Sequence, residues 1–202
     1  MAKGEAERFV EFCNTGFGKE LMDREAELIS EKLSGCGKTL SIGCGIGSIG
    51  ERVKGQDIFY LDSSPRMLSE AGKRIRGPLV PASAEKMPFR DGSFDCAYSV
   101  TALEFMENPR RAVRETARVL KPGGRTLAMM LNPKSEYFKS HVEREGSYFR
   151  KIRSQPKTIE RHMKEHFSTE GQYFLGIEGK KIFDTTNPKK ASLYIVRGVK
   201  QH

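Results

Sequence analysis

The chain has 202 residues, of which 37% are hydrophobic and 30% are charged, as expected for one globular domain with a core of its own. No apolar run approaches the ~18 residues that a membrane span needs. Residues 1–14 lack the apolar core of a secretory signal, so we expect a cytoplasmic protein. The four cysteines are too scattered for a disulfide framework, and because none forms a CxxC pair we expect no metal site.

The net charge of +9 is distributed unevenly along the chain. Residues 1–109 carry 14 Lys and Arg against 17 Asp and Glu, whereas residues 110–202 carry 21 against 9. A basic half is compatible with a nucleic-acid ligand. A solvated surface rich in Lys and Arg has the same composition, and only clustering on one face would make a binding site.

Apolar runs alternate with amphipathic stretches along the chain. Ser64 and Pro65 are typical of the N-cap and the first position of a helix. The sequence Lys-Pro-Gly-Gly at 121–124 predicts a hard turn, and residues 134–170 have a helical, polar pattern. In chain order, the predicted elements are a helix over 20–33, strands over 38–42 and 57–61, a helix that begins at Pro65, a strand over 94–100, a helix over 110–120, and strands over 126–131, 174–177, 181–183 and 193–199.

This alternation of strands and helices predicts the fold class. We expect an α/β fold with a mostly parallel central sheet and helices on both faces. An antiparallel C-terminal hairpin over 172–200 would close one edge of the sheet. Because the chain has neither an internal repeat nor a low-complexity linker, we expect a single domain.

A glycine-rich segment, SIGCGIGSIG at residues 41–50, follows the first predicted strand and is expected to open a helix. Its glycines allow a sharp turn and a close approach of a ligand, and a helix N-terminus offers N–H groups to an anion. Asp62 ends the next strand, where open α/β sheets bind ligands, and its carboxylate can accept both hydroxyls of a ribose. The spacing from Gly45 to Gly50 also satisfies the dinucleotide fingerprint, so these features alone fit NAD and other adenosine compounds alike.

Four motifs occur in order across residues 39–131: LSIGCGIG, YLDSSPRML, AEKMPFRDGSFD and RVLKPGG. With them the sequence resembles the class I S-adenosylmethionine-dependent methyltransferases, and most of all their type 11 group, which contains quinone-biosynthesis and many small-molecule enzymes. The resemblance implies a Rossmann-like class I methyltransferase fold, S-adenosyl-L-methionine as the cofactor and S-adenosyl-L-homocysteine as the product. It also disfavours a nicotinamide-dependent enzyme.

The resemblance also implies which residues bind the cofactor. The glycine loop would line its methionine portion, Asp62 would take the ribose hydroxyls, and Thr101 would face the sulfur that donates the methyl group. Two positions depart from the family, since Ser83 replaces a frequent acidic residue near the adenine and Phe105 replaces a usual His. The implied cofactor-binding residues are Gly43, Cys44, Gly45, Gly47, Asp62, Ser63, Met67, Ala84, Glu85 and Thr101.

The sequence shows no obvious catalytic set. Methyl transfer depends mainly on positioning the acceptor and excluding water, and a general base is needed only for a weakly acidic acceptor. The candidates are Glu104, near the expected point of methyl transfer, and Tyr137 and His141 in the segment after the core. The expected division of the chain is an N-terminal lid or helix over 1–34, a cofactor-binding core over 38–131, a helical substrate-covering insertion over 134–170, and C-terminal strands over 172–200.

The acceptor remains open at this stage. Basic and aromatic residues alternate within 134–164, which suits RNA, an anionic small molecule or an acidic protein. The sequence SVTA at 99–102 is unlike the Asn/Asp-Pro-Pro-aromatic motif of nucleic-acid amino methylases. We therefore expect a small-molecule acceptor. The alternatives are an RNA or protein methyltransferase and a non-catalytic, cofactor-binding partner subunit, and the oligomeric state is left open.

Overall fold

One sheet of eight strands organises the computed structural model, which describes residues 5–201. Its strands are β1 Lys38–Ile42, β2 Asp57–Asp62, β3 Leu79–Pro81, β4 Phe94–Val100, β5 Leu120–Leu131, β6 Phe167–Glu178, β7 Lys181–Phe183 and β8 Ala191–Lys200. Their order is β3-β2-β1-β4-β5-β8-β6-β7. The first five strands pair in parallel, whereas β8 lies antiparallel between β5 and β6, and β7 pairs antiparallel with β6. The predicted mostly parallel sheet with an antiparallel C-terminal part is confirmed.

Six α-helices occur within residues 5–201, and they cover both faces of the sheet. They are α1 Glu5–Asn14, α2 Gly16–Lys32, α3 Pro65–Ala71, α4 Pro109–Val119, α5 Glu136–Val142 and α6 Pro156–Lys164, with 3-10 turns at Leu103–Phe105 and Tyr148–Lys151. Over this part of the chain, none of the helices combines the length and apolar character that crossing a bilayer requires.

Central strands direct alternate side chains into two hydrophobic cores. In β4, Cys96 and Tyr98 lie in the core beneath α2, α3 and α5, here called the α2 face. Phe94 and Ala97 lie in the opposite core beneath α4 and α6, here called the α4 face. From Cys96 to Tyr98 the side chains alternate between the two cores, as in a parallel strand that is covered on both sides, whereas the register shift between Phe94 and Cys96 places Phe94 on the same side as Ala97.

Short polar side chains determine where several helices begin. Ser64 accepts a hydrogen bond from the Met67 N–H at 3.3 Å and Pro65 follows it, as predicted. Such caps satisfy N–H groups that have no partner within the helix. The other side-chain caps are Thr15 before α2, Asn108 before α4 and Ser135 before α5.

The helix expected after the glycine loop is absent. Residues 43–52 form consecutive turns instead, in which the Gly47 N–H donates to the Cys44 carbonyl at 3.0 Å and the Glu51 N–H donates to the Gly47 carbonyl at 3.1 Å. Glycine is unfavourable inside helices. At Gly50, moreover, a Cβ would lie 2.3 Å from the Tyr60 ring. The prediction was wrong because the glycines that permit the loop also prevent a regular helix.

Three further elements differ from the prediction. Residues 121–124 are not a separate turn, because β5 begins at Leu120 and includes them, with a register shift opposite Phe94 and Cys96. Strand β3 was not predicted, since three residues are too few to show a period. Helix α6 packs Ile159 and Met163 into the core of the α4 face, so the insertion over 134–170 divides between the two faces.

A disulfide joins Cys36 and Cys96, whose Cα atoms are 6.0 Å apart. Cys36 precedes β1, and Cys96 lies in β4, the neighbour with which β1 pairs. The cysteines do not form a disulfide framework, but one pair, which the sequence did not predict, is joined. Sheet pairing brings together two positions that are 60 residues apart in the chain. Cys13 and Cys44 are free.

We expect thiol titration of the unfolded, unreduced protein to find two thiols, and four after reduction. Reduction should lower the free energy of unfolding by about 2–4 kcal/mol, because the bond restricts a long loop of the unfolded chain. A Cys13→Ala variant serves as the control and should show one thiol before reduction. Four thiols in air-exposed wild-type protein would contradict the pairing.

Candidate functional site

The carboxyl ends of β1, β2 and β4 meet at one edge of the sheet, where ligands of open α/β sheets bind. The glycine loop leaves β1 there, Asp62 ends β2, and Thr101 follows β4. The structure therefore brings together three parts of the site that the sequence predicts separately.

Asp62 connects two of these loops through its side chain. Its Oδ2 accepts the Gly45 N–H at 2.8 Å, and its Oδ1 accepts the Ser64 N–H at 2.9 Å. A carboxylate offers about four acceptor positions, so each oxygen can accept a further hydrogen bond. Because Asp62 is half-buried, its carboxylate is both fixed in orientation and accessible to a ligand. This chemistry suits a pair of neighbouring hydroxyl groups.

The backbone of the glycine loop is held close to β2 and to the segment after β4. The N–H groups of Gly43 and Cys44 both donate to the Leu61 carbonyl, at 2.8 and 3.0 Å. Gly43 has φ +69°, and a Cβ there would lie 2.6 Å from the Cβ of Ala102. Gly45 has φ +54° and nothing within 4 Å of the position of a Cβ. The free space beside the Gly45 backbone, next to the Asp62 carboxylate, would allow a chain attached to the ribose of an adenosine compound to approach the loop closely.

The residues expected around the adenine and the adenosine differ in exposure and in their contacts. Ser63 is exposed, whereas Met67 is half-buried and packs against the hydrophobic cluster that contains Cys13 of α1. The side chain of Ala84 packs into the core of the α4 face. Glu85 uses its Oε1 to accept the Asn108 N–H at 2.9 Å, at the start of α4. Any contact of residues 84 and 85 with an adenine would therefore involve mainly their backbone.

Thr101 has an unusual backbone conformation. Its φ of +44° lies in the left-handed region, which a β-branched residue rarely adopts. The Thr101 N–H donates to the Met129 carbonyl of β5 at 2.8 Å, which holds the residue in place. Conformations of this kind cost about 1–3 kcal/mol and cluster at functional sites. The strain therefore lies at the position expected to face the reacting methyl group.

Glu104, a candidate for catalysis, is fully buried beside this segment. Its Oε1 accepts the Leu131 N–H at 2.9 Å, whereas Oε2 has no hydrogen-bond partner among the described residues. Burial raises the pKa of the carboxyl to about 7. The backbone carbonyl of Glu104 also accepts N–H groups from Arg153 and Ser154, at 2.8 and 3.1 Å. Glu104 therefore connects the turn after β4 to the end of β5 and to the segment that precedes α6.

Tyr137 and His141, the other catalytic candidates, lie on α5 with their ring centroids 4.1 Å apart and their planes tilted by 38°. Nδ1 of His141 lies 2.7 Å from the Tyr137 carbonyl, which can only accept, so Nδ1 carries the proton and Nε2 is the acceptor nitrogen. Burial lowers the pKa of His141 and favours its neutral form. The rings of Phe138 and Phe149 join this group, and Phe105 and Tyr148 form a second pair with ring centroids 4.3 Å apart. We call the two groups the ring cluster: Phe105, Tyr137, Phe138, His141, Tyr148 and Phe149.

The thiol of Cys44 lies in the glycine loop but is poorly suited to act as a nucleophile. Burial, with a smaller effect of the Asp62 carboxylate, raises its pKa to about 12. The thiolate, which is the reactive form, is therefore scarce at neutral pH. Cys44 contributes to the shape of the loop, and its thiol is expected to stay protonated.

Sequence reasoning missed one buried acid, Glu25 on α2. It is 3% exposed, its Oε2 has no hydrogen-bond partner among residues 5–201, and burial raises its pKa to about 8. A signal was present in the sequence, because Glu25 shares the apolar stripe of its helix with Met22 and Ile29. A carboxyl on the buried face of an amphipathic helix is exceptional unless it is paired or functional.

The basic segment 134–164 is partly engaged in internal contacts. Arg150 donates to the carbonyls of Val142 and Glu143, at 2.7 and 2.8 Å. Lys157 and Lys164 flank Glu160 on α6, at 2.9 and 3.3 Å from its carboxylate. These three cations stabilise the local fold, and the two on α6 belong to the helix that packs on the α4 face.

Residues 40–128 match a family model described as a methyltransferase domain. The chain is 33% identical over 113 residues to sterol 4-C-methyltransferase strm-1 of Caenorhabditis elegans, covering 52% of this chain and 34% of that protein. It is 35% identical over 101 residues to demethylmenaquinone methyltransferase of Thermotoga maritima, covering 48% of this chain and 44% of that protein. The chain thus spans less than half the length of either relative.

Solved structures share the fold at low sequence identity. One is a possible histamine N-methyltransferase from Thermotoga maritima, with a TM-score of 0.77 and 22% identity, covering 98% of this chain and 95% of that chain. Another is the N-methyltransferase NodS of Bradyrhizobium japonicum in complex with S-adenosyl-L-homocysteine, with a TM-score of 0.71 and 15% identity, covering 98% and 97%. A third is a complex of the Haloferax volcanii methyltransferase activator Trm112 with a putative methyltransferase, with a TM-score of 0.69 and 20% identity, covering all of both chains.

We expect Glu104 to make stability depend on pH. Its pKa is raised from 4.5 to about 7 by folding, so its contribution is complete below pH 4.5 and is lost as the pH rises through 7. Relative to Glu104→Gln, which keeps an oxygen for the Leu131 N–H, wild type should lose up to about 3 kcal/mol between pH 5 and pH 8.5. Chemical unfolding across this range measures the difference in slope.

The exposed Glu107→Gln variant is the matched control and should follow the wild-type curve. Parallel curves for wild type and Glu104→Gln would show that Glu104 is ionised in the folded protein at all of these pH values.

Proposed function

We propose that the protein transfers a methyl group from S-adenosylmethionine to a small-molecule acceptor, as the match of residues 40–128 to a methyltransferase-domain model supports. The observation that carries the proposal is the Asp62 carboxylate, oriented by Gly45 and Ser64 beside an open stretch of the glycine loop. Relatives named for sterol and quinone methylation support a small acceptor.

When bound, S-adenosylmethionine supplies a methyl group on a sulfonium sulfur, which the acceptor atom takes by in-line displacement to leave S-adenosylhomocysteine. Asp62 would accept hydrogen bonds from the ribose hydroxyls, and Gly45 would allow the methionine arm to lie against the backbone. A contact between the carboxylate of the cofactor and a helix N-terminus is not part of the proposal, because residues 43–52 form turns. Thr101 would border the reacting centre.

The segment after β5 would hold the acceptor and exclude water. The ring cluster combines the pair of Phe105, four residues after Thr101, and Tyr148 with the group around Tyr137 on α5. Its aromatic surface would bind an apolar part of the acceptor, and Nε2 of His141 is a candidate to accept a proton from it. Helix α1 packs against Met67 of α3 and is proposed as the lid over the cofactor. The other domain boundaries expected above remain predictions.

We expect Asp62→Ala to weaken the binding of S-adenosylhomocysteine by about 10- to 100-fold, because charge-assisted hydrogen bonds are lost and the loop is loosened. Calorimetric titration measures the affinity, with NAD as a second ligand that should not bind. Asp57→Ala, an exposed position at the other end of β2, is the control and should leave the affinity unchanged. Unchanged affinity in Asp62→Ala would refute the ribose contact.

Incubation with methyl-labelled S-adenosylmethionine and fractions of metabolites, tRNA or protein tests the acceptor class. Label is expected in the metabolite fraction. Label in tRNA or protein would overturn the small-molecule part of the proposal. If no fraction is labelled although S-adenosylhomocysteine binds, the chain is a cofactor-binding partner subunit without activity of its own.

A further inference from the structure

The contacts of the Glu25 carboxyl do not explain why an acid is buried at this position. A structural buried acid normally donates to a carbonyl or pairs with a cation, since a buried polar group without a partner costs free energy. Oε2 of Glu25 has no such partner among the described residues, and the side chain is 3% exposed. An uncompensated carboxyl of this kind indicates a ligand that supplies the missing partner.

Glu25 adjoins the cluster that closes the carboxyl edge of the sheet on the α2 face. Leu21 and Met22, one turn away on the same face of α2, pack there with Ile46 of the glycine loop. Tyr137 of α5 and Cys13 of α1 join the same cluster. Burial raises the pKa of Tyr137 and of Cys13, and the Glu25 charge adds to the rise in both. Glu25 therefore adjoins, along its own helix face, a cluster to which elements of the proposed cofactor and acceptor sites contribute.

Two further observations mark this region as built for a ligand. Leu175 of β6, a member of the same cluster, has φ +61°, which a leucine adopts only at a conformational cost. The ring cluster includes Phe105, four residues after Thr101, and Tyr137, which belongs to the cluster that Glu25 adjoins. An acceptor bound to these rings would have the carboxyl of Glu25 as its charged partner.

We propose that the acceptor is a small amine with an apolar or aromatic portion, and that the carboxylate of Glu25 binds the ammonium group of this amine. The inference rests on the proposed function. A desolvated carboxylate is stabilised far more by a cation than by a neutral hydroxyl, because a charge-assisted hydrogen bond is about twice as strong as a neutral one. Aromatic rings nearby add cation–π attraction for the same ammonium. Binding would convert the Glu25 acid into a carboxylate and release its proton to solvent.

The other charged groups in this region do not pair with the Glu25 carboxylate in place of the amine. Arg52 and Arg74 act electrostatically on Cys13, and the Arg52 guanidinium already pairs with Asp23 at 2.8 Å and with Glu51. On α5, burial favours the neutral form of His141. Across the described neighbours on α1, α2 and α5, no cation is within salt-bridge distance of Glu25.

Binding of matched probes to the protein loaded with S-adenosylhomocysteine tests the inference. The probes are 2-phenylethylamine with 2-phenylethanol, and hexylamine with 1-hexanol, so that each pair differs only in amine against hydroxyl. We expect wild type to bind each amine about 10- to 100-fold more tightly than its alcohol. Glu25→Gln should remove this preference without changing the affinity for S-adenosylhomocysteine, whereas Glu20→Gln, an exposed position on the same helix, should keep it.

Calorimetry in two buffers of different ionisation enthalpy supplies a readout that packing alone would not change. At pH 7 the wild type should release close to one proton per amine bound, because the free Glu25 is mostly protonated, and Glu25→Gln should release none.

Three results would overturn the inference: equal affinity for amine and alcohol, an amine preference that survives in Glu25→Gln, or no amine binding at about 10 mM, a concentration at which even millimolar affinity is detected. Each of these, with S-adenosylhomocysteine binding intact, rejects the amine alone. Loss of S-adenosylhomocysteine binding in wild type would instead reject the proposed function.

Discussion

The site depends on one carboxylate placed between two loops. Asp62 ends β2 and accepts N–H groups from Gly45 and Ser64, so the glycine loop, the end of β2 and the start of α3 form one unit. The same carboxylate is the group proposed to bind a ribose. Residues 43–52 do not form a regular helix. The orientation of the glycine loop therefore depends on these hydrogen bonds and on those that Gly43 and Cys44 donate to Leu61.

Two acids, Glu25 and Glu104, are buried in the protein, and burying their carboxyl groups lowers its stability. Each leaves one carboxylate oxygen without a partner among the described residues, and burial raises the pKa of each towards or above neutrality. They differ in their connections. Glu104 is bonded to the end of β5 and to the segment after the ring cluster, so it organises the edge of the sheet. Glu25 lacks such bonds, and its position beside Tyr137 is explained best by a ligand.

Some of the basic residues in the second half of the chain make contacts that stabilise the local fold. In the basic segment, Arg150, Lys157 and Lys164 pair with carbonyls or with Glu160 of the same segment. Helix α6 carries two of them onto the α4 face, away from α2 and α5. Three of the nine basic side chains of residues 134–164 are therefore engaged in local contacts, and two of these pair with one acid, Glu160, three or four residues away on the same helix.

Local patterns in the sequence determined much of this protein. Short apolar runs predicted most strands, Ser64 and Pro65 predicted the start of α3, and four motifs within residues 39–131 carried the resemblance to methyltransferases and the position of Asp62. Each of these signals lies within a few neighbouring residues, where turn, cap and strand preferences act. Contacts between distant segments could not be read in this way. Only the tertiary structure decided that Cys36 meets Cys96, that α6 covers the α4 face, and that Glu25 is buried beside Tyr137, because each depends on which strands and helices become neighbours when the sheet assembles.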